Sequence, residues 1–336
     1  MTVNRQVLLE ARPSGAVTAD CFALRDEPVP APGPGQVLVR NLFLSCDPYM
    51  RGRMATAGSG YASGFVIGQP VPARVVGQVL ESRDPRFAAG DYVWGCMRWE
   101  WFSLVDDPAT LYRIDPQLGP VSHAISVLGM PGRTAEVGML ELGRPRPGET
   151  VFVSAASGAV GQIAGQLAKA AGARVIGSAG TDDKVRHVVD ELGFDAAFNY
   201  RSVASPGEAL DRLCPGGIDV YFDNVGGATL DAVLARLRPF ARIPVCGMIS
   251  QYDGQGGGIR NLAAVVGARA TMTGFIIYDH MDGFEAFPAR MAERMRRGEV
   301  RYFEDIVAGI ENTPAAFIGM MAGDNLGKRL VQVGEL

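Results

Sequence analysis

The sequence lacks the residue patterns that form disulfide frameworks, metal sites and nucleic-acid surfaces. Its five cysteines are far apart and form no C-x-x-C pair, so we expect reduced, mostly buried thiols rather than disulfides or a structural zinc. The chain has three histidines and three lysines, and its formal net charge of −4 without a basic stripe argues against a nucleic-acid partner. No apolar run reaches membrane-spanning length, which argues against a membrane protein.

The length of 336 residues exceeds one ordinary hydrophobic core and predicts two domains. Hydrophobic residues at 47% and charged residues at 20% are typical of a globular protein. The opening stretch, MTVNRQVLLEARPSG, is followed by neither a long apolar core nor an A-x-A site. We therefore expect no signal peptide and a cytoplasmic protein.

Residues 150–180 have the pattern of a βαβ unit, with an apolar strand, a glycine-containing turn, a helix and a second strand. The turn reads Ala155-x-x-Gly158-x-x-Gly161, so alanine stands where G-x-G-x-x-G has its first glycine, and we expect the turn to be slightly wider. Gly158 would let the backbone approach a pyrophosphate, and Gly161 would let the helix pack closely on the strand. The alternative is helix packing alone, but the βαβ context favours dinucleotide binding.

The end of the second strand bears on the choice of nucleotide. It reads Gly-Ser178-Ala-Gly, without the acidic residue that usually bonds the ribose 2′-hydroxyl of NAD, and Lys184 follows. The alternative is that Lys184 is a solvated helix residue beside Asp182 and Asp183, which follow a Thr181 cap. The uncharged strand end favours NADP.

Strands and helices continue to alternate after this unit and predict a doubly wound parallel sheet over about 125–300. Strands are expected near 195–200, 217–226, 241–250 and 270–279, and a helix at 228–240. Pro244 indicates an edge strand or a locally unpaired position. DNVGG, CGMISQY and GFIIY all follow strands, so their residues should surround a bound cofactor.

The first 120 residues have a different pattern, because Pro and Gly interrupt short apolar runs every 8–12 residues. This spacing predicts an all-β, barrel-like domain. The final segment, GDNLGKRLVQVGEL, alternates like a strand and is expected to return to that domain.

Seven motifs in this order resemble the medium-chain dehydrogenase/reductase superfamily, in its zinc-independent branch of prostaglandin, 2-alkenal and curcumin reductases. The motifs are DPYMRGRM (47–54), LGMPGRTAE (128–136), AASGAVG (155–161), GSAGTDDKV (177–185), FDNVGG (222–227), CGMISQY (246–252) and GDNLGK (323–328). The resemblance implies a Rossmann domain at 125–302, inserted into a β-rich GroES-like domain of residues 1–124 plus 303–336. It also implies a homodimer, with 271–279 as the expected edge strand.

The same resemblance implies that NADPH reduces the C=C bond of an α,β-unsaturated aldehyde or ketone at its β-carbon. In it, Lys184 and Tyr200 lie near the 2′-phosphate, and Met130 and Thr134 flank the nicotinamide. Together with the turn, the expected cofactor residues are Met130, Thr134, Gly158, Ala159, Val160, Gly161, Ser178, Lys184, Tyr200, Asn224, Cys246, Gly247, Met248, Ile249, Ser250, Tyr252, Phe275, Ile276, Ile277 and Asn325.

The zinc-dependent branch of the superfamily is disfavoured by the residues. Cys46 stands near the place of one ligand, but residues 66–77 contain no histidine for a second, and three protein ligands are needed. His123, His187 and His280 are the only histidines in the chain. We expect Cys46 to be a packed residue and the protein to hold no metal.

Without a metal, hydroxyl and backbone N–H groups must stabilise the enolate oxygen. Tyr49 is our first candidate for contacting substrate, in a loop at the predicted interdomain cleft, and Tyr278 is the second; either ring could instead be a packed aromatic. The nicotinamide ribose could also bond the enolate, and the proton could come from solvent. We expect Arg51 and Arg53 to be surface residues rather than a site for an anionic substrate tail.

Two other functions stay open on the sequence. One is an NADPH-dependent quinone reductase of the same fold, and the other is a non-catalytic NADPH-binding module. The glycine-rich segments 55–66 and 252–262 are expected to line the pocket, and the natural substrate is not indicated.

Overall fold

The computed structural model describes residues 3–55, 62–254 and 257–335. The chain divides into two compact units, one formed by residues 1–126 with 304–336 and the other by residues 127–303. In the described ranges, no helix combines the length and the hydropathy needed to cross a membrane.

The strands and helices are numbered in chain order. The strands are β1 (Val3–Leu9), β2 (Phe22–Pro28), β3 (Val37–Ser45), β4 (Pro72–Ser82), β5 (Tyr92–Arg98), β6 (Phe102–Val105), β7 (Tyr112–Arg113), β8 (Thr150–Val153), β9 (Arg174–Ala179), β10 (Ala196–Asn199), β11 (Ile218–Phe222), β12 (Leu237–Val245), β13 (Thr271–Gly274), β14 (Glu304–Ala308) and β15 (Lys328–Gln332). The helices are α1 (Tyr49–Arg53), α2 (Met130–Glu136), α3 (Gly161–Ala170), α4 (Asp182–Asp190), α5 (Pro206–Leu213), α6 (Gly227–Leu234), α7 (Ala264–Ala268), α8 (Phe287–Arg296) and α9 (Thr313–Ala322).

The first unit is built on a sheet in the order β14-β15-β3-β4-β5-β7, with β6 also paired to β3 and β1 paired to β2. The carboxyl-terminal segment returns to this unit as predicted, because β15 pairs antiparallel with β3. Its core is centred on the fully buried Trp99, whose ring packs against Phe22 and Phe317 with centroids 5.8 Å away in each case. The indole N–H donates to the Ser45 carbonyl at 3.2 Å, so the one polar group of this side chain is satisfied.

The second unit is a Rossmann domain. Its six strands are all parallel and follow the order β10-β9-β8-β11-β12-β13, which is third, second, first, fourth, fifth and sixth in the unit. All five residues of β11 are buried, as is typical of a parallel strand covered on both faces. The carboxyl ends of β8, β11, β12 and β13 therefore meet at one edge of the sheet.

The ends of the two helices in the βαβ region form as the sequence predicts. α3 is followed by Gly172 at a left-handed φ of 83°, whose N–H donates to the Lys169 carbonyl at 2.9 Å. Thr181 caps α4 by accepting the Lys184 N–H at 3.3 Å. Both helix ends depend on residues only a few positions away in the chain, so they can be predicted from the sequence.

Two predictions about the later elements are wrong, and one of the two alternatives for Pro244 is excluded. The helix expected over 228–240 ends at Leu234, because Pro239 keeps the preceding Arg238 extended and β12 already begins at Leu237. Pro244 does not mark an edge: β12 lies between β11 and β13, and the Pro244 carbonyl accepts the Asp223 N–H at 3.0 Å. The strand expected over 270–279 stops at Gly274, although β13 is the edge strand as expected.

Two glycine-to-alanine changes in helices test the packing of the Rossmann domain. A Cβ on Gly165 in α3 would lie 1.8 Å from the Phe194 ring, whereas one on Gly267 in α7 would meet no atom within 4 Å. We expect Gly165→Ala to lower the free energy of unfolding by about 1–3 kcal/mol, because the ring must shift. Gly267→Ala should leave it unchanged or raise it by up to about 1 kcal/mol through helix propensity. Urea unfolding of both variants checks this, and equal effects would contradict the packing described.

Candidate functional site

Segments that follow β12 and β13 line an open cavity of about 610 Å³ at the carboxyl edge of the parallel sheet. Six of the residues predicted from sequence to hold the cofactor line it, namely Cys246, Gly247, Met248, Tyr252, Phe275 and Ile276. Gln251, inside the predicted run CGMISQY, also lines the cavity, as does Asp279, which was not predicted. Asp279 ends the stretch 270–279, which the sequence predicts as a strand, so its position at a strand's carboxyl end was the available signal.

The turn after β8 is tight rather than widened. Ala155 adopts a left-handed φ of 48°, and its carbonyl accepts the Gly158 N–H at 3.0 Å. The expectation that alanine would make the turn wider is therefore wrong. Alanine takes up the backbone conformation for which glycine is usually selected, at a cost of about 1–2 kcal/mol. The surrounding strands β9 and β11 hold β8 on both sides and offset this strain.

Gly158 and Gly161 differ in what a side chain would meet. A Cβ on Gly161 would lie 2.3 Å from the Ala155 carbonyl oxygen, so this glycine permits the close approach of α3 to the turn. A Cβ on Gly158 would meet only that oxygen, at 3.2 Å, and otherwise points into open space. No internal packing therefore requires glycine at Gly158, and the open side of the turn has room for a ligand. Ala159 and Val160 are half-buried between the two glycines.

The end of β9 is uncharged and closely packed. Ser178 is buried, and a Cβ on Gly180 would lie 3.0 Å from the Tyr200 hydroxyl, so that hydroxyl lies against the strand end. Lys184 is only 9% exposed, and the interpretation of this lysine as a solvated helix residue is wrong. Arg201, which was not predicted, lies with its guanidinium 5.7 Å from the centre of the Tyr200 ring.

The buried carboxyl group of Asp223, the first residue of the segment DNVGG, organises the turn after β11. One oxygen of Asp223 accepts the Tyr221 hydroxyl at 2.6 Å and the N–H groups of Val225 and Gly226 at 2.9 and 2.8 Å. Burial raises the pKa of Asp223 above its usual range, and these hydrogen bonds oppose the shift. The signal in the sequence was an acidic residue directly after a buried strand.

Asn224 links the ends of β11 and β8. Its backbone N–H donates to the Ser154 hydroxyl at 3.0 Å, and its side-chain amide donates to the Ser154 carbonyl at 2.7 Å. Ser250, on a 3₁₀ turn spanning Ile249–Gln251, donates to the Val225 carbonyl at 2.6 Å. The predicted residues after β8, β11 and β12 thus form one hydrogen-bonded edge.

The residues expected on the nicotinamide side lie on α2 and after β13. The Thr134 hydroxyl donates to the Met130 carbonyl at 2.8 Å, and both residues are half-buried. The Phe275 ring packs edge-on against Phe222, with centroids 6.5 Å apart. A 3₁₀ turn, Ile277–His280, carries Tyr278, which is 51% exposed.

The remaining predicted residues belong to the β-rich unit. Tyr49 is the first residue of α1 and packs against the core of this unit, so its expected position in a loop is wrong. Asn325 donates to the Gly327 carbonyl at 2.6 Å. Residues 56–61 and 255–256, within the two glycine-rich segments expected to line the pocket, lie outside the described residues.

Arg51 is not the surface residue that the sequence predicted. It is 7% exposed, and its guanidinium donates to the Gly15 carbonyl at 2.6 Å. Arg53 is half-buried, donates to the Ser63 carbonyl at 3.0 Å and lies 4.5 Å from the centre of the Phe65 ring. These contacts brace the chain on either side of α1, which short-range sequence patterns do not reveal.

The donor groups do not fit a zinc ion. In the part of the chain that the structure describes, no three His, Cys, Asp or Glu side chains form a group able to hold a metal. Cys46 is 1% exposed in the core of the β-rich unit, and burial raises the pKa of its thiol to about 12. A zinc ligand has to be a thiolate, which this surrounding disfavours.

Two family models match the chain. One, described as the N-terminal domain of oxidoreductase, matches residues 5–114, and the other, described as zinc-binding dehydrogenase, matches residues 159–296. The second description names a metal for which this chain lacks a fitting donor group among its described residues.

Relatives that match along almost the whole chain indicate the branch of the family to which it belongs. The chain is 42% identical to the 2-alkenal reductase (NADP(+)-dependent) of Nicotiana tabacum over 99% of this chain and 98% of that one. It is 40% identical to the NADPH-dependent curcumin reductase of Escherichia coli (strain K12), covering 98% and 97% of the two chains. The crystal structure of CurA in complex with NADPH from Vibrio vulnificus superposes with a TM-score of 0.92 at 40% identity, covering 99% and 100%. The chain therefore belongs to the medium-chain dehydrogenase/reductase superfamily, in the zinc-independent family of 2-alkenal, curcumin and prostaglandin reductases.

Proposed function

We propose that this protein reduces the C=C bond of α,β-unsaturated aldehydes and ketones with NADPH and without a metal. The single observation that carries the proposal is the identity of 42% over 99% of the chain to an enzyme named as an NADP-dependent 2-alkenal reductase. The structural neighbour at a TM-score of 0.92 was solved with NADPH, which supports the choice of cofactor.

The residues at the carboxyl edge fit NADPH. Gly158 leaves open space beside the backbone of the turn, as close approach to a pyrophosphate requires, and α3 begins at Gly161, so the positive end of its dipole lies at the turn. The end of β9 has no carboxylate that would repel a 2′-phosphate, and Lys184 and Arg201 supply positive charge nearby. The cavity after β12 and β13 receives the remainder of the cofactor.

When bound, NADPH supplies a hydride, and the chain's own residues orient the acceptor and stabilise the charge that develops on it. Met130, Thr134 and Phe275 hold the redox end of the pocket in place, which reduces the entropy lost on reaching the transition state. Tyr49 contacts the substrate and donates to the enolate oxygen, with Tyr278 as the second candidate. Solvent delivers the proton to the α-carbon.

The cavity contains a thiol that does not readily add to a reactive enone. Cys246 lines the cavity, and burial of its thiol, with Asp223 nearby, raises its pKa to about 12. Because the thiolate and not the thiol adds to electrophiles, this residue stays unreactive at neutral pH. A reductase of unsaturated carbonyl compounds is thereby spared alkylation by its own substrate.

We also propose a homodimer formed through β13 and a cytoplasmic location. β13 is the last strand of the six-stranded order, so its outer edge is unpaired within the described sheet. All five cysteines are free thiols, which suits a reducing compartment. Light scattering of the purified protein measures the molar mass and tests the dimer.

The activity is tested by loss of absorbance at 340 nm. NADPH and NADH are each offered with a medium-chain 2-alkenal, an aryl enone and a simple quinone, with and without a chelator. We expect NADPH-preferring reduction of the two enones that the chelator does not change. Reduction of the quinone alone would favour a quinone reductase, and tight NADPH binding without turnover would favour a binding module.

Alanine at each glycine of the turn separates ligand binding from packing. Gly158→Ala should keep the fold, because its Cβ meets only one oxygen at 3.2 Å, and raise the Kd for NADPH by about tenfold or more. Gly161→Ala, with its Cβ 2.3 Å from a backbone oxygen, should lower the free energy of unfolding by about 1–3 kcal/mol. Fluorescence titration and urea unfolding measure the two effects. Unchanged NADPH binding by the folded Gly158→Ala variant would contradict the assignment of the turn.

Replacing Lys184 tests the basis of the preference for NADPH. A charge-assisted hydrogen bond contributes about 1.5–3 kcal/mol, so Lys184→Ala should weaken NADPH binding by about 10–100-fold. NADH lacks the 2′-phosphate, so its KM should change by less than about twofold. Lys169→Ala, which removes an exposed ion pair with Asp195, is the matched control and should affect neither cofactor. Equal losses for NADPH and NADH in Lys184→Ala would refute the assignment.

A further inference from the structure

Lys328, at the start of β15, is buried to an extent that is unusual for a lysine. Its side chain is 2% exposed, and an ammonium group is almost never fully buried unless it is paired. Its Nζ donates to the Cys46 carbonyl at 2.6 Å and to the Asp47 carboxylate at 2.8 Å. The proposed chemistry leaves this residue without a role.

Both acceptors belong to the turn that leads from β3 into α1. The other oxygen of Asp47 accepts the Ser45 hydroxyl at 2.5 Å. The Asp47 carbonyl accepts the Met50 N–H at 3.1 Å, and this bond lies at the start of α1. The Cys46 N–H donates to the Arg329 carbonyl at 3.3 Å. Each residue of the turn is therefore tied to β15 or to its neighbour, and Tyr49 follows two residues after Asp47.

Lys328 itself is the last residue of the motif GDNLGK, which also contains Asn325. Residues 323–327 turn directly before β15, where the Asn325 amide donates to the Gly327 carbonyl at 2.6 Å. The Leu326 N–H donates to the Asp305 carboxylate at 3.1 Å, so this turn is held on its far side as well. Lys328 thus joins the segment carrying the candidate substrate residue to the segment carrying a candidate cofactor residue.

We propose that Lys328 is a positioning residue, which fixes the turn at 45–47 and so sets the place of the Tyr49 hydroxyl relative to Asn325. The inference rests on the proposed function, because it assigns an effect on enone reduction. Lys328 itself touches neither substrate nor cofactor; it acts through Asp47 and the Cys46 carbonyl. Two directed donors at a buried site hold a backbone turn more tightly than apolar packing alone, which has no directional preference.

A double-mutant cycle between Lys328→Met and Tyr49→Phe tests the proposal with the full-length protein. Kcat and KM are measured for a medium-chain 2-alkenal at saturating NADPH. We expect Tyr49→Phe to lower kcat by about 100-fold, as for the loss of one oxyanion donor, and Lys328→Met to lower it by about tenfold or more. With the Tyr49 hydroxyl already removed, adding Lys328→Met should lower kcat by less than about twofold.

A second variant separates positioning from stability. Lys328→Met leaves the Asp47 carboxylate without its cation, whereas Asp47→Asn combined with Lys328→Met removes both charges and should unfold in urea near the midpoint of the unsubstituted protein. Its kcat should stay low, because the directed bond to the turn is still missing. Lys169→Met, which breaks an ion pair with Asp195 in the Rossmann domain, is the matched control and should leave kcat unchanged.

The outcomes distinguish this inference from the proposed function. Additive losses in the cycle, or full kcat in the stable charge-free double variant, would overturn the positioning role while the enone reductase stands. Unchanged kcat in Tyr49→Phe alone would overturn both the role of Tyr49 and that of Lys328. Absence of enone turnover by the unsubstituted protein would overturn the proposed function and this inference with it.

Discussion

The pairing of β8 with β9 on one side and β11 on the other is the constraint on which the cofactor edge depends. A central strand that is hydrogen-bonded on both sides cannot shift, so the turn that follows it can carry a strained residue. Ala155 sits there at a left-handed φ of 48°, and its carbonyl faces both glycines of the turn. Pre-organisation of this turn lets a phosphate be bound without paying for the ordering of a loop.

Polar groups with few exposed atoms then hold the ends of neighbouring strands together. One oxygen of Asp223 accepts from four donors in the Rossmann domain, and the ammonium group of Lys328 donates to two acceptors in the β-rich unit. In a low dielectric an unmade bond to either group would be costly, so each fixes the backbone that it contacts. Asp223 directly precedes the predicted site residue Asn224, and Asp47, which Lys328 contacts, lies two residues before Tyr49.

The βαβ unit and the ends of α3 and α4 could be predicted because short-range chemistry decides them. Thr181 caps α4, and Gly172 ends α3. An apolar strand, a glycine-containing turn, a helix and a second strand in this order are typical of a βαβ unit. Where a boundary depended on distant pairing the prediction was wrong. The end of the helix expected over 228–240 gave way to β12, in which Leu237 pairs with Ile218 of β11 and Arg242 pairs with both β11 and β13.

The sequence by itself determined the fold class, the family and the uncharged end of β9, because each is encoded by residues close together in the chain. Tertiary structure alone decided that Arg51 is buried, that Ala155 tightens its turn, and that Lys328 meets Asp47 across more than two hundred residues of chain. Long-range contacts of this kind follow from which strands pair, and β3 with β15 is such a pair. From sequence alone a lysine is expected to be solvated, and only the packing around the ammonium group of Lys328 shows that this one is buried.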